Sequence, residues 1–237
     1  MKSLAIHPIR RSKYFALTAA FALTTVLFSA RPTHAQQLRP GVSVQLAATS
    51  NAAPMPDADN EDAWIVAITA DGSMYFGLNP ASPAAIAEKI NGSVHQNKLY
   101  IKADARSAFA NVGKVLEAAR GAGSAVLLTA QPGWSTPGAR VSPMGLEVLL
   151  GPPAAARSTS TVVQVLKSNT ADPKLKINNQ SIPWAVLPNT LTQLSQTQTE
   201  KLVVVKADGL LPYAEVVQVI DTCRSAGLKV ALVTPQL

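Results

Sequence analysis

One cysteine, three histidines and few aromatic residues leave this 237-residue chain short of several kinds of chemistry. Cys223 alone makes no intramolecular disulfide, no CxxC redox pair and no thiolate zinc cage. It falls on the apolar side of a helical pattern in Ile220-Asp221-Thr222-Cys223-Arg224, where a free thiol behaves as a small hydrophobe. His95 is the only histidine beyond position 35, and it sits in the polar stretch Gly92 to Asn97, which reads as a solvated loop. A Cys/His dyad and a histidine-rich metal site are therefore not favoured. No GxSxG elbow and no glycine-rich turn ending in Gly-Lys-Ser/Thr occurs. The expectation is a protein that is not an enzyme, with no catalytic residues, no cofactor and no metal. Aromatics make up 5% of the chain, too few for a base-stacking platform, and the cores must come from Val, Leu, Ile and Ala within a 47% hydrophobic composition.

The formal charge of +7 is concentrated at one end. Lys2, Arg10, Arg11, Lys13 and Arg31 lie in the first 35 positions, which hold no Asp or Glu, and the 16 basic and 14 acidic residues that follow leave only +2. Phosphate binding needs a concentrated basic surface, so no nucleic-acid partner is expected. The basic end instead opens an export signal. Lys2 to Lys13 is basic, Tyr14 to Ala30 is apolar, and Thr33-His34-Ala35 places small residues where a signal peptidase reads them. The 17-residue apolar run is at the lower limit of a bilayer span, so residues 1–35 read as a signal peptide or a membrane anchor. Both place the remainder outside the cytoplasm: periplasmic, or anchored in the cytoplasmic membrane with its domains in the periplasm.

Residues 36–60 are polar, rich in Ala, Pro, Asn and Asp, and without periodicity, which reads as a flexible tether. Beyond them the chain repeats. Leu99-Tyr100-Ile101-Lys102-Ala103-Asp104 matches Val203-Val204-Val205-Lys206-Ala207-Asp208 at an offset of 104, and the register continues without a gap to Val126 and Val230. Each copy opens with an apolar strand and follows it with a helix whose apolar positions recur at three and four: Phe109, Val112, Leu116 and Ala119, then Tyr213, Val216, Ile220 and Cys223. Pro212 suits the first turn of the second helix, and Gly123 and Gly227 suit left-handed helix ends. Short apolar strands, Ala125 to Thr129 and Lys229 to Thr234, close the copies.

Upstream, Trp64 to Ala70 and Ser73 to Phe76 flank the hairpin signal Asp71-Gly72, and Pro83 to Ile90 reads as a helix. Thr161 to Leu166, Lys174 to Ile177 and Trp184 to Leu194 repeat that order. The fold class is α/β (α+β): two tandem ββαβαβ domains, at 61–131 and 161–237, joined by a Pro/Gly-rich linker over 132–160.

These residues resemble the extracytoplasmic domain of the ExbD/TolR family of biopolymer transport proteins. The second copy carries the fuller pattern, Val204-Val205-Lys206-Ala207-Asp208-Gly209-Leu210-Leu211-Pro212-Tyr213, then Ala226-Gly227 and a closing strand; the first has Ala108-Phe109 in place of Pro-Tyr. The resemblance implies a cell-envelope protein that binds partners: a channel-forming transport subunit, a TonB-like protein, or peptidoglycan as in the Tol branch. It also implies dimerisation, as a homodimer or as an intramolecular pseudo-dimer of the two copies. Family members carry a transmembrane aspartate that takes part in proton conduction. Here Tyr14 to Ala30 holds no ionisable group beyond the Tyr14 hydroxyl, so an accessory binding role is expected over energy coupling.

The candidate partner-binding residues are Asp104, Asp208, Pro212 and Tyr213 around the strand-to-helix loops, and Val230, Leu232 and Thr234 of the terminal strand, with partner addition at that strand or at a sheet edge. Asp104 and Asp208 equally suit carboxylates that accept hydrogen bonds from loop amides. Trp64 and Trp184 read as core anchors and Lys174 and Lys176 as a solvent face, while Trp134 is a contact residue or folds back onto a domain. Mass spectrometry of the native N-terminus is expected to show a mature chain beginning at Gln36; an intact Met1 terminus requires the anchor instead.

Overall fold

A computed structural model describes residues 41–93, 98–132, 142–151, 161–170 and 172–234. The signal or anchor segment, His95 and Trp134 lie outside the described residues. Among those described, no helix is long and apolar enough to cross a membrane.

The strands and helices in chain order are β1 (Ala53–Pro54), β2 (Trp64–Ile68), β3 (Met74–Phe76), β4 (Asn79–Pro80), α1 (Pro83–Asn91), β5 (Leu99–Ala103), α2 (Phe109–Ala118), β6 (Ser124–Thr129), β7 (Met144–Leu150), β8 (Thr161–Leu166), β9 (Lys174–Ile177), β10 (Gln180–Ile182), α3 (Leu187–Thr197), β11 (Leu202–Ala207), α4 (Tyr213–Ser225) and β12 (Lys229–Val233). The two copies therefore have one architecture, in which a hairpin leads into αβαβ. Each copy also ends its hairpin with a short extra strand, β4 or β10. Asn178 and Asn179 both adopt positive φ between β9 and β10, as a two-residue hairpin turn requires.

Both copies build one continuous sheet in the order β10-β9-β8-β11-β12-β7-β6-β5-β2-β3-β4. Reading outward from β7, the two halves mirror each other strand for strand. β7 is antiparallel to β6 but parallel to β12, so the two terminal strands oppose each other about a pseudo-two-fold axis at the centre. The helices share one core with alternate residues of every long strand, including Leu99 and Ile101, Leu146 and Val148, and Val203 and Val205. On the opposite face a smaller cluster of Tyr100, Val126 and Leu128 packs with Ala58, from a single 3-10 turn at Pro56–Asp59.

Three expectations change. First, the stretch 132–160, read as linker, contains β7. Leu146, Val148 and Leu150 point into the core while Glu147 and Leu149 point out, a period-two pattern hidden by the prolines and glycines around it. Second, the segment read as a tether is hydrogen-bonded from Val42 onward, and Ala47 and Thr49 are buried. Third, the repeat slips by one residue after its glycine: Leu99 lies beside Ala125 but Val203 lies beside Val230. The slip keeps Ala125 and Leu127, like Val230 and Leu232, on the helix side of the sheet; an ungapped register would turn the second set outward. Gly123 and Gly227, both at positive φ, form the turn just before it.

The close packing of β7 has a local requirement. A Cβ on Gly145 would stand 2.5 Å from Val126 Cγ1 and 3.1 Å from Met55 Cγ. Gly145→Val is expected to lower stability by roughly 1–3 kcal/mol through overpacking, read as a fall in the urea midpoint at unchanged slope.

Candidate partner-binding surfaces

Asp104, Asp208, Pro212 and Tyr213 converge on one place, where the helices α2 and α4 meet end to end. A helix start leaves its first amides without intrahelical acceptors, and neither Ala108 nor Pro212 offers a side-chain cap. The other module supplies the acceptors. Phe109 N donates to Leu211 O at 2.8 Å and Ala110 N to Gly209 O at 2.9 Å; reciprocally, Tyr213 N donates to Ser107 O at 2.8 Å and Ala214 N to Ala105 O at 2.9 Å. Every one of these bonds has its counterpart at the repeat offset, which is the signature of an isologous two-fold contact. Ala108 and Pro212 form an antiparallel bridge on the axis itself. Pro212 occupies the capping position, one residue ahead of the first turn, so its lack of an N–H costs nothing there.

Phe109 and Tyr213, equivalent residues, are both fully buried beside this seam. The Tyr213 hydroxyl has no hydrogen-bond partner among the described residues, and burial pushes its ionisation far above the ordinary tyrosine value. Cys223 is buried too, and desolvation pushes its thiol up to about 12, which removes it as a nucleophile near neutral pH.

The two aspartates have diverged. Asp104 is nearly inaccessible; its carboxylate accepts the amides of Gln45 and Arg106 and holds the Arg106 guanidinium through both oxygens, at 2.9 Å each. The Arg106 hydrogen bond holds the Asp104 carboxyl well below the usual carboxylate range. Asp208 is half-buried and accepts the Leu210 amide at 2.9 Å. Leu210, exposed, stands where the first module has Arg106.

The terminal strand is no edge. Val230 and Leu232 are core residues, and β12 has β11 on one side and β7 on the other, paired at Ala231 with Leu149 and Leu232 with Leu150. Thr234 reaches the first module, donating to Glu117 at 3.0 Å and accepting from Arg120 at 3.3 Å. The actual edges are β4 and β10, both short, with Pro80 inside one and Pro183 just after the other, a common defence against uncontrolled strand pairing.

Beside β4 lies an open groove of about 670 Å³ lined by Trp64, Phe76, Pro80, Ala85, Glu88 and Lys89 among others. Trp64 and Phe76 meet edge to face with centroids 6.1 Å apart, and the Lys89 ammonium sits 4.4 Å from the centre of the Phe76 ring. Trp64 is thus partly core and partly groove wall. Strand pairing puts Thr161 and Ile177 at the equivalent positions of the second module, so the aromatic wall belongs to the first alone. Trp184, by contrast, anchors its own module, donating its indole N–H to Pro173 O. Lys174 is exposed and Lys176 half-buried, on the outer side of β9. Phe76 and Lys89 carried no signal in sequence, because a hairpin aromatic and a helix lysine are ordinary until the two elements pack.

The family model for biopolymer transport protein ExbD/TolR matches residues 15–133 and 139–236. No curated protein matches the chain.

Two substitutions separate the electrostatic and apolar parts of the seam. Asp104→Asn is expected to cost about 1–3 kcal/mol, the range for charge-assisted hydrogen bonds to a buried group. A carboxyl depressed in the fold contributes stability above its unfolded pKa of about 4 and loses it as pH falls lower. The wild-type urea midpoint should therefore fall between about pH 5 and pH 3 by more than that of the variant. Tyr213→Phe removes an unpartnered buried hydroxyl and is expected to raise stability by about 1 kcal/mol, read as a higher midpoint.

Proposed function

Since the chain belongs to the ExbD/TolR family, matched over both of its modules, we propose that it serves the cell envelope as a non-catalytic, partner-binding accessory protein. In this reading its two modules supply each other's dimer contact, and the protein lacks a proton-conducting helix of its own. The observation that carries the reading is the division of labour between the copies. Pro212 and Tyr213, the residues of the fuller family pattern, are spent on the seam with the first module. The first module in turn holds the aromatic groove beside β4, where the second module has Thr161 and Ile177 in place of Trp64 and Phe76. An extended segment of an envelope transport partner lies in that groove, with an apolar side chain against Trp64 and Phe76 and its charged groups near Glu88 and Lys89. Leu78, 59% exposed in the loop before β4, immediately precedes Asn79 of the groove lining. Pro80 limits backbone pairing, so side-chain contacts carry most of the affinity.

The test is capture from an envelope extract by the purified chain carrying a photo-crosslinking residue at position 78. A defined envelope transport protein is expected on the crosslink, and Trp64→Ala or Phe76→Ala should cut its yield about tenfold, as the loss of an aromatic anchor does. Crosslinking only to unrelated proteins, or a yield indifferent to both variants, overturns the reading.

A second reading follows from the same aromatic wall, because Trp and Phe faces beside a carboxylate and an ammonium also suit glycan strands. Sedimentation with purified cell-wall sacculi decides it: peptidoglycan binding requires co-sedimentation that Trp64→Ala abolishes.

A further inference from the structure

Residues 42–51 run across the seam and are held at both ends by opposite modules. At the first-module end the Lys102 ammonium donates to Val42 O at 3.0 Å, Gln45 N donates to Asp104 Oδ2 at 2.9 Å, and Ala105 N donates to Gln45 O at 2.7 Å. In the middle, Ala130 N donates to Ala47 O and Thr49 N to Ala130 O, both at 2.9 Å, and the buried Thr49 hydroxyl donates to Thr129 Oγ1 at 2.8 Å. At the far end the Asp221 carboxylate, on α4 of the second module, accepts the amides of Ser50 and Asn51 at 3.0 and 2.9 Å. Asp221 thus caps the strap as an N-cap residue caps a helix.

One residue joins strap and seam directly. Ala105 gives its N–H to the strap at Gln45 and its C=O to the first turn of α4 at Ala214. Among the described residues the equivalent loop of the second module has no such strap: Gly209 O accepts Ala110 N, and Asp208's carboxylate accepts from its own loop, at Leu210. Among the described residues a near-symmetric seam is therefore fastened on one side only, by residues 42–51.

We propose that residues 42–51 are a releasable strap that sets how tightly the two modules are closed. The attachments lie in series from Val42 to Asn51. Release of the strap gives up its bonds to Lys102 and Asp104, frees the Ala105 amide, and so loosens the bond from Ala214 and the seam around it. In the same opening the buried Ala47 and Thr49 come out of the body and the Asp221 cap is lost, so that weakening the strap at either end favours its release. The states differ by a short row of hydrogen bonds and two small buried side chains. That is within reach of a local opening well below the cost of unfolding the sheet.

The test is native-state amide hydrogen exchange on the full chain bearing Asp221→Ala, a half-exposed helix position where alanine is well tolerated. Ser50 and Asn51 are expected to exchange about tenfold faster once their charged acceptor is gone, and Tyr213 and Ala214 are expected to accelerate with them while the central amides of β5 and β11 keep their rates. Lys102→Met, at the opposite end, should raise the same two sets together. Faster strap amides with unchanged seam amides overturn the proposal. So does acceleration of the β5 and β11 amides by the same factor, which would mean that the variant is merely less stable overall.

Discussion

Four backbone hydrogen bonds hold the rest of the structure in register. Each helix start, at Phe109 and at Tyr213, is buried without a side-chain cap and would leave two amides without acceptors. Each loop, at Ala105 to Ser107 and Gly209 to Leu211, has carbonyls facing the other module. Joining the two loops head to head satisfies both at once, and that fixes the relative placement of the modules within a hydrogen-bond length. Once the helix starts are paired, the two sheets can only approach through their terminal strands. β7 then fills the space between, adding Leu146 and Val148 to a core that neither module closes alone.

The consequence for function is that a two-fold contact surface, repeated in the two copies, is turned inward. A contact that is a residue with itself in a symmetric pair becomes Ala108 with Pro212 here, and the two copies are free to diverge elsewhere. They have done so in pairs. Asp104 gained Arg106 and the strap, while Asp208 stands opposite Leu210. Trp64 and Phe76 line a groove where the second copy has Thr161 and Ile177. One half carries the aromatic surface and the strap's inner attachments; the other carries the fuller family pattern and the Asp221 cap.

Much of this order was legible in residue patterns. The strand lengths at Leu99 to Ala103 and Leu202 to Ala207, the three-four spacing of Phe109, Val112 and Leu116, and the Asp71-Gly72 hairpin signal depend on local sterics and on which side of an element meets the core. Those forces act over a few residues, so a few residues report them. β7 was legible in principle through the alternation of Leu146, Val148 and Leu150, and β10 through the Asn178-Asn179 turn, but both were overshadowed by the prolines and short lengths around them.

The amino-acid order alone determined the duplication, the ββαβαβ plan of each copy, the inert setting of Cys223 and the family to which the chain belongs. Only the tertiary structure decided that the two copies share one sheet, that Val230 and Leu232 lie inside it, that Tyr213 faces its own chain's first module, and that Gln45 to Asn51 bind where a loose tether was expected. The physical reason is the same in each case. Backbone amides and carbonyls are alike at every residue, so the partners they choose across 59 positions, as Gln45 chooses Asp104, or across 171, as Ser50 chooses Asp221, leave no mark on side-chain periodicity.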